Sequence, residues 1–126
     1  MSERTITSPF PNPETQAFWD ACKAGEFTVP KCKACGKSHW YPRALCPFCF
    51  SDQVELVKAQ GTGTIYSFST TLKPVTYTIA YVQLAEGPIM MTNIVTEDHS
   101  KLKIGQSVTA VLVPSEDGTP VPMFKA

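Results

Sequence analysis

The chain has 126 residues, 43% of them hydrophobic and 17% charged, and its 11 basic and 11 acidic side chains cancel to a formal net charge of zero. That length allows one ordinary domain or two very small modules, and that composition excludes a disordered chain. The neutral balance also speaks against a nucleic-acid binder, whose footprint is strongly basic.

Residues 1–11 read as an extended arm, because Pro9 and Pro11 block a helix. The arm lacks the apolar core of a signal peptide, and no apolar run reaches the length of a membrane span. The expected compartment is therefore the cytoplasm, where clustered thiols bind metal more often than they form disulfides. Asn12-Pro13 offers an N-cap followed by proline at the first helical position. Glu14 suits the first turn of such a helix. Phe18, Ala21 and Cys22 recur at helical spacing beside Trp19, and Gly25 supplies a stop. The expected helix covers residues 13–24.

Residues 27–50 hold four of the five cysteines, with Lys31, Lys33, Lys37 and Arg43 and no acidic side chain. The segment is too short to bury a core of its own. Beyond it the pattern turns to strands. Val54 and Leu56 come first, then Ile65, Tyr66 and Phe68 beside Gly61-Thr62-Gly63. Residues 77–84 and 89–95 flank the tight turn Glu86-Gly87. Residues 107–113 alternate, Asp117-Gly118 turns, and residues 121–125 suit an edge strand because Pro120 and Pro122 fit poorly in a sheet centre. Five strands with one longer connection, residues 96–105, fit a small Greek-key barrel, although a sandwich fragment has the same spacing. The fold is thus expected to be mainly β with an N-terminal helix. Its parts are an arm and helix (1–26), a cysteine module (27–52) and a barrel (53–126).

The cysteine module carries two C-x-x-C pairs, Cys32/Cys35 and Cys46/Cys49, a specific signal. Each pair curls so that two thiolates converge on one tetrahedral ion. Gly36 follows Cys35, where the chain turns back and glycine accepts positive φ. Phe50 holds the corresponding place after Cys49, so either that turn is distorted or Phe50 is held by packing. Structural Zn²⁺ is favoured over iron, a redox dithiol or ordinary buried thiols. Four thiolates around zinc carry a charge of about minus two, which the four nearby cations offset.

Other candidates have plainer readings. Cys22 has no base near it in sequence and is expected to pack. His39 is displaced as a ligand by the four cysteines, and His99 is expected to be a solvated loop residue. Gly61-Thr62-Gly63 has no helix after it, so a bulge or close strand crossing is expected instead of a phosphate loop. Phe10, Phe18, Trp19, Trp40, Tyr41 and Phe48 are many aromatics for an arm, a helix and a tiny module. They would seal helix and module against the barrel, and some would form an apolar patch for a partner.

The helix with Phe18-Trp19, the Cys32/Cys35-Gly36 and Cys46-Pro47/Cys49 pairs, and the run from Gly61 to Ser67 resemble the opening of a known family. Ala80-Tyr81-Val82-Gln83-Leu84 and Glu86-Gly87-Pro88-Ile89 resemble its central hairpin, and Leu102-Lys103-Ile104-Gly105 and Pro120-Val121-Pro122-Met123-Phe124 its end. The family is the acyl-CoA-associated zinc-ribbon/OB-fold family, domain of unknown function 35. The resemblance implies an N-terminal helix, a rubredoxin-like zinc ribbon and a C-terminal five-stranded OB-fold barrel. It implies Cys32, Cys35, Cys46 and Cys49 as zinc ligands, with helix and ribbon facing a partner. It also implies an accessory role beside thiolase-like or hydratase enzymes acting on acyl-CoA thioesters. Two departures are Phe50, where glycine is common, and the short connection Leu72-Lys73-Pro74-Val75-Thr76, which lacks a histidine often present.

The leading expectation is therefore a non-catalytic partner of an acyl-CoA enzyme. Phe18, Trp19, Trp40, Lys33, Lys37 and Arg43 are its candidate partner-facing or CoA-facing residues, the cations lying near CoA phosphates. A single-stranded nucleic-acid-binding OB protein is the alternative, but residues 51–126 carry five basic and seven acidic side chains. An enzyme in its own right finds no support, since no convergent polar set is visible and a closed zinc shell cannot activate water.

Overall fold

The computed structural model describes residues 5–126; residues 1–4 of the expected arm lie outside them. One helix, α1 (Gln16–Lys23), precedes seven strands: β1 (Thr28–Cys32), β2 (Val54–Lys58), β3 (Thr62–Thr71), β4 (Tyr77–Leu84), β5 (Ile89–Val95), β6 (Ser107–Pro114) and β7 (Pro120–Lys125). β1 and β2 pair antiparallel as a separate two-stranded sheet, and the other five close a barrel in the order β3-β4-β5-β7-β6. The fold is mainly β, with one helix, a four-cysteine zinc ribbon and a closed five-stranded OB barrel.

Helix entry follows the sequence in kind but begins later. Asn12 Oδ1 accepts from the amides of Glu14 and Thr15, both at 3.0 Å, forming a turn that leads into α1. Glu14 does not serve the helix dipole alone: its carboxylate accepts the Ala44 amide at 2.7 Å and ties the helix entry to the ribbon. Gly25 stops the helix at φ 87.

The barrel strands alternate as half-buried strands should. In β4, Thr78, Ala80, Val82 and Leu84 point inward while Ile79 and Tyr81 face out. β7 explains how two prolines survive in a closed barrel. It pairs with β6 over its full length, but with β5 only at Ile94↔Phe124 and Val95↔Lys125. Pro120 and Pro122 thus sit where no second ladder needs their missing amides. The Pro122 carbonyl accepts the Thr92 hydroxyl at 3.3 Å.

The glycine pair near the barrel start marks a close crossing. Gly63 lies between β4 and β6, opposite Leu84 and Val108. A Cβ there would stand 2.7 Å from both the Gln83 carbonyl oxygen and Val82 Cγ1. A backbone carbonyl in a closed barrel has little room to retreat. Gly63→Ala is therefore expected to destabilise by roughly 1–3 kcal/mol, read as a lower urea midpoint at unchanged slope.

One apolar core joins all three parts. Phe18, Trp19 and Cys22 of α1, with Phe27 and Val29, pack continuously with Ile65, Val82, Met90 and Phe124 of the barrel. An aromatic chain runs through the junction. Phe18 meets Trp19 and Trp40 edge-on at 5.0 and 5.2 Å, and Trp40 meets Phe27 at 6.1 Å. Phe27 in turn meets Phe124 of β7 at 6.0 Å. The Trp19 indole N–H donates to the Tyr41 hydroxyl at 3.2 Å, so its burial leaves no donor unmatched. Among the described residues, no helix is long and apolar enough to cross a membrane.

Candidate metal centre and partner surface

The two C-x-x-C segments form matching turns. In the first, the Gly36 amide donates to Cys32 O at 2.9 Å and the Cys32 amide to Lys37 O at 2.9 Å. In the second, the Phe50 amide donates to Cys46 O at 2.8 Å and the Cys46 amide to Ser51 O at 2.9 Å. Amides also point at sulfur: Cys35 N lies 3.5 Å from Cys32 Sγ, and Phe48 N lies 3.4 Å from Cys46 Sγ. Such donors favour thiolate over thiol. The Cys35 amide is the main reason the Cys32 thiol is drawn down to about 7.

The four sulfurs of Cys32, Cys35, Cys46 and Cys49 lie within 4.8 Å of one another. Cys32 Sγ is 3.6 Å from Cys49 Sγ, and Cys35 Sγ is 3.7 Å from Cys46 Sγ. A tetrahedral ion with Zn–S bonds of about 2.3 Å places its sulfurs about 3.8 Å apart, so the cluster fits that ion. A disulfide needs about 2.05 Å, and none is present among the described residues. His39 does not join the cluster. It is buried, its two ring nitrogens have no partner among the described residues, and burial together with the Arg43 charge lowers its pKa.

Phe50 resolves differently from both sequence alternatives. The second turn is undistorted, as its hydrogen bonds show, and Phe50 is not held by packing. It takes φ 62, beside φ 78 at Gly36, with 77% of its surface exposed. The backbone hydrogen bonds of the turn impose the left-handed conformation whatever the side chain.

The remaining candidates separate clearly. Phe18 is fully buried and Trp19 nearly so, and Trp40 is half-buried between them and Phe27. The exposed aromatics of this half are Phe10, Tyr41, Phe48 and Phe50. Cys22 is buried at the core, which pushes its thiol up to about 11 and leaves it inert. His99 is not a solvated loop residue: its Nδ1 lies 2.8 Å from the hydroxyl of Thr78, which in turn lies 2.8 Å from that of Thr70. The buried Thr78 hydroxyl needs partners, and His99 supplies one from the long connection.

Lys37 and Arg43 line a cleft of about 810 Å³ between the ribbon and the β4–β5 turn at Glu86, Gly87, Pro88 and Ile89. Lys33 lies outside it and pairs with Glu55 at 3.8 Å. Lys31 takes its place in the lining. Sequence reasoning named Lys31 only as a charge offset, and it had no signal for the opposing turn, which is distant along the chain.

Comparison with known proteins agrees with this geometry. Residues 19–55 match the ChsH2 rubredoxin-like zinc ribbon domain, and residues 56–113 the ChsH2 C-terminal OB-fold domain. A DUF35 domain-containing scaffold protein of Methanothermobacter thermautotrophicus is 33% identical over 92 residues, covering 67% of this chain and 69% of that protein. A probable enoyl-CoA hydratase alpha subunit of Thermomonospora curvata is 31% identical over 116 residues, covering 86% of this chain; the chain spans only 36% of that longer protein. Among solved structures, a chain of the Ltp2-ChsH2(DUF35) aldolase superimposes with TM-score 0.84 at 28% identity, covering 94% of this chain and 98% of that one. With ribbon and barrel matched in order, and with a scaffold relative covered over most of its length, the chain belongs to the ChsH2/DUF35 family of zinc-ribbon, OB-fold proteins.

Proposed function

We propose that this chain is a non-catalytic accessory subunit that binds a thiolase-like or hydratase/aldolase enzyme acting on acyl-CoA thioesters. The observation that carries the reading is its likeness, over 94% of this chain, to a chain of the Ltp2-ChsH2(DUF35) aldolase. Cys32, Cys35, Cys46 and Cys49 hold a structural zinc ion, whose chemistry is to neutralise and staple four thiolates. A shell of four sulfurs offers no position for water or substrate, in keeping with a structural role. The partner-facing side is the ribbon with its exposed aromatics, and Phe18 and Trp19 support that side from beneath. Lys31, Lys37 and Arg43 outnumber the one carboxylate in the cleft lining, Glu86, a balance that suits the phosphates of a CoA thioester. The cytoplasm remains the compartment proposed for this work.

Co-expression with a thiolase-like protein from the same genome tests the reading. The two chains are expected to co-elute, and the enzyme's activity to rise with this subunit present. The purified chain alone is expected to turn over no acyl-CoA. Separate elution and unchanged enzyme activity would refute the assignment.

A further inference from the structure

A cavity of about 580 Å³, separate from the cleft, opens where β5 and β7 end side by side. The two strands run parallel there, pairing Ile94 with Phe124 and Val95 with Lys125. The connection after β5 and Ile6 of the arm complete the wall, and no residue of the ribbon takes part. Ile6, Ile94, Val95 and Met123 give the cavity an apolar part, in which Ile94 and Met123 are almost fully buried.

The polar groups of the lining differ in what they have left to bond. His99 Nδ1 lies 2.8 Å from the Thr78 hydroxyl, so Nε2 is the ring nitrogen that remains. The Thr70 hydroxyl lies 2.8 Å from that of Thr78. When Thr70 donates to Thr78, Thr78 donates to Nδ1 and Nε2 carries the ring proton. Gln106 Oε1 accepts the Lys103 amide at 3.0 Å, which leaves the two Nε2 protons of Gln106 unused. The Thr96 hydroxyl oxygen accepts the Asp98 amide at 3.4 Å, which leaves its proton. The Asp98 carboxylate accepts the Ser100 amide at 3.0 Å and meets Lys101 at 3.9 Å. Tyr77 and Asn93 have partners of their own. Glu97 keeps its acceptors, and it is exposed, as is Lys125. Most acceptors of the lining are thus consumed, while donors are left.

Charge and hydrogen bonding together select a class of ligand. The lysine side chains of the lining, Lys101 and Lys125, balance its carboxylates, Glu97 and Asp98, so neither an anion nor a cation is favoured. Unused donors call for an acceptor, and the apolar part calls for a hydrocarbon chain. We propose that this cavity binds a small, uncharged carbonyl compound. Its oxygen accepts from the unused N–H groups of His99 and Gln106, and its aliphatic chain lies against Ile94 and Met123. The site stands independently of the accessory-subunit reading, since it shares no residue with the cleft beside the ribbon.

Hexanamide is the probe, titrated into the zinc-loaded, full-length chain while backbone amide shifts are recorded. Saturable shifts are expected at residues 93–99 and 123–126, with a Kd of about 1 mM, in keeping with so small a ligand. Hexanoate and hexylammonium have the same chain but carry a charge, and each should bind at least about tenfold more weakly. Gln106→Glu keeps the acceptor for the Lys103 amide and removes the donor, so it should weaken hexanamide binding at least about fivefold. His99→Ala should weaken it by a similar factor. Where loss of the Thr78 partner lowers the thermal midpoint of His99→Ala, Gln106→Glu alone decides. Equal affinity in the parent and Gln106→Glu would overturn the role given to the donors. Tighter binding of hexanoate would overturn the uncharged class. Shifts centred on residues 36–48, or none that saturate below about 20 mM, would overturn the cavity itself. None of these results bears on whether the chain co-elutes with a thiolase-like enzyme, so the two readings fail separately.

Discussion

A Cys46→Ser chain is expected to lose its metal and its folded ribbon together. Cys46 Sγ is buried, lies 3.7 Å from Cys35 Sγ and receives the Phe48 amide. Serine keeps that shape but supplies a hard, protonated oxygen where zinc takes thiolate. The ribbon has only β1 and β2 and a few turns besides the ion. Binding energy in such modules is folding energy, roughly 10 kcal/mol or more as apparent affinity in small zinc peptides at neutral pH. Elemental analysis should fall from one zinc per chain to none. Amide exchange should rise across residues 32–53. The barrel should keep most of its protection, since its five strands close on one another without the ribbon. Prolonged chelation of the parent should reproduce this pattern. A Cys46→Ser chain that retained one zinc would contradict the assignment of the ligands.

Phe18→Ala is expected to cost about 3–5 kcal/mol, the range for removing a large aromatic side chain from a core. Phe18 is fully buried and touches Trp19, Trp40 and Tyr41. Those rings come from the helix and the ribbon, and Trp40 continues to Phe27, which reaches Phe124 in the barrel. The helix has only eight residues, too short to persist alone in water. Removing its central ring should therefore detach the helix before the barrel melts. Near-ultraviolet dichroism and tryptophan fluorescence should change at denaturant concentrations that leave the barrel's amides protected. Coincident, undisplaced transitions in variant and parent would show that the aromatic chain does not hold the parts together.

Much of the architecture is local and so was legible. A C-x-x-C turn brings two sulfurs together within four residues, and the two turns repeat the same hydrogen bonds, so each half of the sulfur cluster follows from spacing. The strands at Tyr77–Leu84 and Ile89–Val95 match the expected ranges because alternation has period two and Glu86-Gly87 marks the turn. Gly63 stands at a close crossing, as its place in the sequence suggested. Other features were not legible because they depend on what arrives from elsewhere. His99 looked solvated until the long connection brought it to the buried Thr78 hydroxyl. β1 was hidden because its partner, β2, lies beyond both cysteine pairs.

The amino-acid order alone thus determined which cysteines pair in each turn, the strand alternation and the turns, since each depends on residues a few positions apart. Tertiary structure decided which aromatics are core and which are surface. Phe18 and Phe50 are both phenylalanines beside other aromatics in sequence, yet one is fully buried and the other 77% exposed. It also decided which cations share a cleft, placing Lys31, Lys37 and Arg43 opposite a barrel turn and leaving Lys33 with Glu55. The physical reason is that burial and charge pairing depend on long-range closure of helix, ribbon and barrel, which no short window of sequence contains.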